Sequence, residues 1–277
     1  LVLIVVGIGL FQSRQDLVPP LSSSSNTPDG ARALRLWMEA LDHPVSIQAG
    51  ESFSIPPDVQ VVFILEPLSL YPITTDEWKS IEDWVSGGGV LFLASQNISA
   101  ALSDSSIDFK MIQTLRGPVD FSPAAPLLRY PPLHTPVTMR GWALFEGGEE
   151  GQISLLSSDK GSAAIEVELG QGKMILVGDT SFLTNAGLKD PISAALALNL
   201  FSSLPPGGSI WFDEWHHGER TVGVTASGPQ AWLRNTPAGR AVLFSAAVIF
   251  IALLLAGRRF GRPVPLPNEQ ARRASSR

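Results

Sequence analysis

The sequence predicts an α/β fold in which a mostly parallel sheet, flanked by helices and carrying an antiparallel edge, lies between two transmembrane helices. Two near-continuous apolar runs of strand length, residues 59–65 and 90–93, enclose a segment with helical spacing, which is the pattern of a parallel βαβ crossover. Gly170-Gln171-Gly172 joins two further strand-like segments and indicates a hairpin. Apolar runs over residues 1–11 and 241–257 lie near the two ends of the chain and suggest the two spans.

Start and stop signals place the individual elements along the chain. Thr27-Pro28-Asp29 supplies an N-cap, a proline for the first turn and an acid at the helix start. Thr75 is expected to cap a second helix, which Gly87-Gly88-Gly89 ends. The predicted elements are, in chain order, a helix over 28–41, strands over 45–48 and 59–65, a helix over 76–86, strands over 90–93, 163–169 and 173–178, a helix over 191–203 and a strand over 209–212. Residues 100–145 carry scattered prolines and are expected to form an insertion with short strands, whose order the pattern does not give.

Composition excludes several classes of protein. The chain has 277 residues, of which 44% are hydrophobic and 17% are charged. A charged share below about 25% argues against a charge-rich disordered chain and is compatible with membrane segments. The formal net charge of −6 argues against nucleic-acid binding through a basic surface. Cysteine is absent, so disulfides, thiolate nucleophiles and cysteine-based zinc sites are excluded.

The two terminal apolar runs are interpreted as membrane spans. Residues 1–11 are shorter than the about 20 residues of a complete span. Because the chain starts with Leu, this run is interpreted as a truncated transmembrane helix, with a clipped signal peptide as the alternative. The second span is placed over residues 238–257, with a buried core helix as the alternative. Arg258, Arg259 and Arg262 follow at once and are expected to anchor this span at the membrane surface.

The charge after the second span predicts the topology. Residues 258–277 carry six arginines and one acid, Glu269, and short basic tails remain in the cytoplasm. The rest of the chain then divides into a linker over residues 12–26 and an extracytoplasmic α/β domain over residues 27–235. The expected location is the plasma membrane, with the central domain outside the cytoplasm and the C-terminus inside.

A first polar cluster follows an apolar strand. Asp179 comes directly after the strand that ends at Gly178, where open α/β sheets place their ligands, and Asn185 lies a few residues further on. Asp179 could hold a metal ion, orient a ligand hydroxyl or cap the following turn. The structural alternative is an Asx-type turn or helix cap.

A second polar cluster follows the last strand. Glu214, His216 and His217 lie next to one another there, and they hold two of the four histidines of the chain. If both clusters lie at one edge of the sheet, Asp179 and Glu214 could converge with a histidine on a divalent metal or a polar ligand. The structural alternative is a buried Glu–His hydrogen-bonded network. The candidate ligand-binding residues are therefore Asp179, Asn185, Glu214, His216 and His217.

Several motifs together resemble a known family. They are Pro28-Asp29-Gly30, Trp84-x-x-Gly87-Gly88-Gly89, Gly178-Asp179-x-x-Phe182-Leu183-Thr184-Asn185, Phe212-Asp213-Glu214-x-His216-His217-Gly218 and, after the last apolar run, Arg259-Phe260-Gly261-Arg262. In this combination the chain resembles the bacterial family called domain of unknown function 4350, over nearly its whole length. The resemblance implies an amidotransferase-like or flavodoxin-like sheet, similar to class I glutamine amidotransferase domains. Those enzymes use a cysteine nucleophile, which this chain lacks, so their chemistry does not carry over.

The resemblance also bears on partners and function. Members of the family are often encoded near MoxR-type ATPases, which implies membrane proteins associated with such ATPases as partners, beside the lipid bilayer itself. The favoured function is a non-catalytic extracytoplasmic domain that binds a ligand or a partner, without a cofactor and without nucleic acid. The first alternative is a metal-assisted hydrolase that uses Asp179, Glu214, His216 and His217 with a divalent metal. The second alternative is a purely structural subunit.

Overall fold

A computed structural model describes most of the chain, namely residues 19–47, 52–113, 117–124, 131–133, 136–140, 143–146, 151–218 and 237–257. Its helices are α1 (Arg32–Ala40), α2 (Thr75–Ser86), α3 (Ile98–Ala101), α4 (Pro191–Phe201) and α5 (Pro237–Gly257). Its strands are β1 (Val45–Ile47), β2 (Val61–Leu65), β3 (Val90–Ala94), β4 (Met111–Gln113), β5 (Val119–Pro123), β6 (Val137–Met139), β7 (Ala143–Phe145), β8 (Gln152–Ser158), β9 (Gly161–Leu169), β10 (Gly172–Val177) and β11 (Ile210–Phe212). The chain divides into two compact units, Leu1–Val222 and Gly223–Arg277, which are described separately.

The first unit is built around a mixed sheet. Its strands follow the order β1-β11-β2-β3-β10-β9-β8-β5-β6, and β7 pairs with β4 and β9. The pairings from β1 to β10 along this order are parallel, and all described pairings beyond β10 are antiparallel. The prediction of a mostly parallel sheet is therefore wrong. The sequence predicted only an antiparallel edge, but the antiparallel strands make up about half of the sheet. The proline-bearing region after residue 100 contributes four of them, β4 to β7.

The parallel half was predicted correctly because its pattern is strong. Every residue of β2 and β3 is buried, and the two strands are parallel and joined by α2. Alternate residues of β2 face opposite layers: Phe63 packs in the cluster that contains Met38 of α1, and Ile64 packs in the cluster that contains Trp78 of α2. A strand covered on both faces has no polar alternation, which explains the continuous apolar run.

The helix starts differ from the sequence prediction by a few residues. The cap of α2 is Thr74 and not Thr75, since the Thr74 side chain accepts a hydrogen bond from the Glu77 backbone while the Glu77 carboxylate accepts one from the Thr74 backbone. This reciprocal pair is a capping box. Helix α1 begins only at Arg32, because Thr27-Pro28-Asp29 forms a turn ahead of it.

The serine-rich segment belongs to the folded unit. The predicted linker spans residues 12–26, of which 12–18 lie outside the described residues. In the described part, Leu21, Ser22 and Ser23 are fully buried or nearly so, and the backbone N–H of Leu21 donates to the carbonyl of Asp29 at 2.8 Å. The segment therefore packs against the turn that precedes α1.

The predicted enclosure of the sheet between two transmembrane helices is corrected by the structure. Among the described residues, no helix has both the length and the apolar character needed to cross a bilayer. The run over residues 1–11 and the predicted anchors Arg258, Arg259 and Arg262 lie outside the described residues.

Candidate functional site

The polar residues of interest follow the carboxyl ends of neighbouring parallel strands. Because β11, β2, β3 and β10 are parallel neighbours, their last residues lie along one edge of the sheet, which we call the carboxyl edge. The residues that follow these strands are Asp213 after β11, Glu66 after β2, Ser95 after β3, and Asp179 with Thr180 shortly after β10. This edge is where open α/β sheets bind ligands.

Asp179 fills a structural role at this edge. Its side chain is fully buried, and its two oxygens accept backbone N–H groups of Arg140 at 2.5 Å and of Ser181 at 2.7 Å. The bond to Ser181 has the i to i+2 geometry of an Asx turn. Asp179 therefore connects the loop after β10 to the residue that follows β6.

Asn185 caps a helix from a distant part of the chain. Its Oδ1 accepts the Ala33 backbone N–H at 2.7 Å, at the start of α1. Its Nδ2 donates to the carbonyls of Ser25 at 2.8 Å and Thr27 at 2.7 Å. All polar atoms of the amide thus bond backbone groups, and Asn185 supplies the cap that α1 lacks from its own preceding residues.

Glu214 and His217 form a buried pair that joins distant segments. Glu214 Oε2 lies 2.7 Å from His217 Nδ1, and Glu214 Oε1 accepts the Ser23 backbone N–H at 2.5 Å. His217 Nε2 lies 2.5 Å from the carbonyl oxygen of Leu65, the last residue of β2. Both ring nitrogens therefore face acceptors, which is the arrangement of a doubly protonated imidazolium.

The pKa shifts of this pair agree with an ion pair. Burial by itself lowers the pKa of His217, but the hydrogen bond and charge of Glu214 raise the pKa above its ordinary value. Burial by itself raises the pKa of Glu214, but His217 and the Ser23 backbone hold the pKa below its ordinary value. Each partner favours the charged form of the other.

His216 lies in a second carboxylate network. Its Nδ1 is 2.5 Å from Asp213 Oδ2, its Nε2 is 3.4 Å from Glu77 Oε2, and its ring centroid is 5.1 Å from that of Phe53. Burial by itself lowers the pKa of His216, but Asp213 and Glu77 raise the pKa above its ordinary value. For Glu77, burial raises the pKa, whereas hydrogen bonds from Thr74 and the charge of His216 bring the pKa below its ordinary value.

The candidate residues predicted from sequence are thus distributed over separate networks. Asp179 bonds backbone groups, Glu214 pairs with His217, and His216 pairs with Asp213 and Glu77. Within the described part of the chain, no group of three or more His, Asp or Glu side chains could hold a metal ion. The geometry of Glu214 and His217 matches the buried Glu–His network that the sequence left as an alternative.

Glu66 is a site residue that the sequence analysis missed. It directly follows β2 and has a φ of 47°, a left-handed conformation that is strained for a residue with a Cβ. Its carboxylate accepts three hydrogen bonds, from Ser95 Oγ at 3.2 Å, the Gln96 backbone at 2.8 Å and Thr180 Oγ1 at 3.0 Å. The available signal was an acid placed directly after a fully buried apolar run.

A cleft opens next to Glu66. It has a volume of about 210 Å³ and lies between the loop of residues 66–73 and the segment of residues 97–103. The residues that line it include the acid Glu66, apolar residues such as Leu68 and Ile73, and Asn97. We call it the Glu66 cleft.

The histidine turn, residues 213–218, supports the loop that forms one wall of this cleft. The Leu68 backbone N–H donates to the His216 carbonyl at 3.0 Å, and His217 contacts the Leu65 carbonyl just before the loop. Gly218, with a φ of +79°, lies so close to the Tyr71 ring that a Cβ at this position would overlap it. The histidine turn therefore contacts this loop at its start, at Leu68 and at Tyr71.

Comparison with solved structures yields only weak likenesses. Cytoplasmic Protein STM3548 from Salmonella typhimurium has a TM-score of 0.38 and 12% identity, over 52% of this chain and 71% of that protein. Cytoplasmic Protein STM1381 from Salmonella typhimurium LT2 has a TM-score of 0.40 and 12% identity, with the same coverage. The exo-beta-1,4-mannosidase Op5Man5 from Opitutaceae bacterium strain TAV5 has a TM-score of 0.34 and 18% identity, over 54% of this chain and 26% of the enzyme. At these scores the likenesses support no inference about fold or function.

The family is established by sequence. No curated protein sequence is detectably similar to the chain. The family model described as Domain of unknown function (DUF4350) matches residues 23–201, more than half of the chain and all of it within the first unit. The match begins at Ser23, in the buried serine segment, and ends with Phe201, the last residue of α4. The protein therefore belongs to the DUF4350 family.

Proposed function

We propose that the first unit is a non-catalytic binding domain that takes a small polar group of a ligand or partner into the Glu66 cleft. The observation that carries this proposal is the strained backbone of Glu66 beside an open cleft at the carboxyl edge. Open α/β sheets bind ligands at this edge, where Glu66 directly follows a strand.

Strain at Glu66 is maintained by the surrounding structure. A non-glycine residue in the left-handed region costs about 1–3 kcal/mol and persists only where neighbouring contacts impose it. Here three hydrogen-bond donors from the loops after β3 and β10 hold the carboxylate in place. A glycine would relieve the backbone strain but would remove the carboxylate, so the side chain itself favours a role in binding.

The chemistry of the neighbouring groups favours binding over catalysis. A general base needs an unoccupied acceptor atom, and a nucleophile needs a base next to it. His216 and His217 have both ring nitrogens next to acceptors, and Asp179 accepts two backbone N–H groups. The histidine turn contacts the loop of residues 66–73, and Asp179 connects the loop after β10 to Arg140.

Ligand-observed NMR on the full chain tests the proposal. A set of small neutral, cationic and anionic fragments is screened by saturation transfer against the unmodified protein and against Ala100→Trp. Ala100 is exposed and lines the cleft, so the indole fills the cleft without changing the charge. Ala40→Trp, at an exposed alanine near the end of α1, is the matched control.

The expected result is that one or more fragments bind the unmodified protein and Ala40→Trp but lose binding in Ala100→Trp. Thermal unfolding of all three proteins should be similar, since exposed substitutions usually change stability by about 0.5 kcal/mol or less. If no fragment distinguishes Ala100→Trp from Ala40→Trp, the cleft is not a binding site and the proposal is wrong.

A further inference from the structure

The charge in the Glu66 cleft is negative. Among the described residues that line it, Glu66 alone is charged, and the others are apolar or carry neutral amide and hydroxyl groups. Within the described part of the chain, the lysines and arginines that form ion pairs do so with other acids and not with Glu66. A carboxylate next to a cleft and without a cationic partner attracts cations, because its field is only partly screened there.

The Glu66 carboxylate retains capacity for a further donor. An ionised carboxylate offers about four acceptor positions on its two oxygens. Of the three described hydrogen bonds, Oε2 accepts those of Gln96 and Thr180, and Oε1 accepts only that of Ser95. These bonds also hold the carboxylate in one orientation, so an incoming donor meets a preorganised acceptor.

The walls of the cleft suit an apolar stem. Leu68, Ile73 and Ala101 contribute apolar side chains, and the Asn97 side chain makes no capping bond to α3 although it lies at the N-cap. A volume of about 210 Å³ is smaller than the about 300–1,000 Å³ of pockets that enclose a whole drug-sized ligand. A chain-like group with a polar head fits these dimensions better than a bulky ring system.

Two further acids lie close in sequence to residues that line the cleft. Asp104 follows Ser103, and Asp76, in the first turn of α2, follows Ile73 by three residues. The nearest lysine on α2, Lys79, forms an ion pair with Asp83 at 2.6 Å. Negative charge near the cleft raises the local concentration of cations.

From these observations, and resting on the proposed binding function, we infer that the Glu66 cleft binds an alkylammonium or alkylguanidinium group. The cationic head donates to Oε1 of Glu66 while the aliphatic stem packs against Leu68 and Ile73. Two sources offer this chemistry: a free small amine, and a lysine or arginine side chain of a partner protein. Leu70 distinguishes them, because this leucine is 78% exposed in the loop of the cleft and would contact a partner protein but not a small amine.

The experiment is a calorimetric titration of the full chain with matched probes. N-acetyl-lysine N-methylamide carries the ammonium group, and N-acetyl-norleucine N-methylamide has a similar stem without charge. We expect the lysine probe to bind about tenfold or more tightly than the norleucine probe, which is the effect of one charge-assisted hydrogen bond. Glu66→Gln should weaken the lysine probe by a similar factor. Glu168→Gln, which removes the same charge at an exposed position of β9 near the opposite edge of the sheet, should leave it unchanged.

Two further probes identify the source of the cation. If a capped Leu-Lys-Leu peptide binds about tenfold more tightly than n-butylamine and loses this advantage in Leu70→Ala, a partner protein is the source and the inference is supported. If both bind equally and Leu70→Ala changes neither affinity, a free amine is the source and the inference is again supported.

Equal binding of the lysine and norleucine probes, or a lysine affinity that Glu66→Gln leaves unchanged, overturns the inference. Should Glu66→Gln fail to fold, Ala100→Trp provides the same comparison, since it fills the cleft and retains the carboxylate. If neutral fragments bind in the cleft and the lysine probe does not, the inference of a cationic ligand is wrong and the proposed function still holds. A cleft that binds no fragment of any charge would overturn both.

Discussion

Two acids that follow the strands on either side of β3 differ in burial, backbone conformation and hydrogen-bond partners. Asp179, after β10, is fully buried, and its two oxygens accept backbone N–H groups. Glu66, after β2, is half-buried, has a strained backbone and lies beside a cleft. The comparison teaches that a polar residue at the carboxyl edge is a ligand-binding candidate only when part of its hydrogen-bonding capacity faces open space.

The same contrast separates the histidine turn from the Glu66 cleft. The turn contains charged groups that are buried and paired, and such groups stabilise a fold or destabilise it strongly when one partner is lost. The charged residue of the cleft, Glu66, is only half-buried and forms no ion pair with a described lysine or arginine. Substitutions in the turn should therefore change stability, and substitutions at the cleft should change binding.

The largest effect is expected for Glu214→Ala. This change leaves the His217 imidazolium buried without its carboxylate and removes the acceptor of the Ser23 backbone N–H. Breaking a buried pair in this way costs about 3–5 kcal/mol in the free energy of unfolding. Urea denaturation measures the loss, with Glu168→Ala, at an exposed position of β9, as the control. A loss below about 1 kcal/mol would mean that the pair is solvated in solution.

Asp179→Ala is expected to have the second-largest effect. It removes the acceptor of two backbone N–H groups, at Arg140 and Ser181, whose hydrogen bonds are partly buried. An unpaired buried donor costs about 1–3 kcal/mol, and water reaches these partly exposed donors, so the free energy of unfolding should fall by about 1–3 kcal/mol in total. Binding of fragments in the Glu66 cleft should persist in the variant. Loss of that binding at an unchanged stability would place Asp179 in the binding site.

The pH dependence of stability gives a third, smaller effect. The raised pKa values of His216 and His217 mean that their stabilisation is fully present below pH 6.5, the ordinary value, and is lost as pH rises through the folded pKa values. The lowered pKa values of Glu214 and Glu77 mean that their stabilisation is present above pH 4.5 and is lost as pH falls. Stability should therefore be highest between these pH values.

The measurement is a series of urea denaturations across pH. Each additional proton bound by the native state changes the free energy of unfolding by about 1.4 kcal/mol per pH unit. Two histidines can therefore double this slope at pH values above the stability maximum. The double variant Glu214→Gln/His217→Gln should reduce the slope, because it removes one titrating pair. An unchanged slope would show that this pair does not dominate the titration.

The smallest effect is expected for Leu70→Ala. The side chain is 78% exposed, so its truncation should change the free energy of unfolding by about 0.5 kcal/mol or less. Thermal unfolding measures the change. A substantial destabilisation would indicate that Leu70 is buried in the folded protein in solution and is not available to a partner.

The parts of the fold that follow a strong local pattern were predictable from the sequence. β2 and β3 are covered on both faces, so a continuous apolar run signals each of them, and the crossover through α2 follows from spacing alone. The strands β4 to β7 were not predictable, because strands of three to five residues with flanking prolines are too short to show a period. The antiparallel half of the sheet therefore remained hidden.

The candidate site was only partly predictable, for a different reason. The sequence analysis kept a buried Glu–His network as the structural alternative, and Glu214 and His217 form such a contact at i, i+3. The strain at Glu66 is a product of tertiary contacts, since neither glycine nor asparagine marks the left-handed position. The serine segment was interpreted as a linker from its composition, but it is buried, and Ser23 bonds Glu214, which is 191 residues away in sequence.

The hydrogen bond between the Ser23 backbone and Glu214 limits when the serine segment can fold during translation. Residues join the growing chain at about 5–20 per second, so about 10–40 seconds separate the synthesis of Ser23 from that of its carboxylate partner. During that interval the N-terminal segment has no access to its final acceptor. We expect truncated chains that end before residue 213 to be cleaved by proteases near Ser23. Chains that extend beyond residue 218 should resist cleavage there.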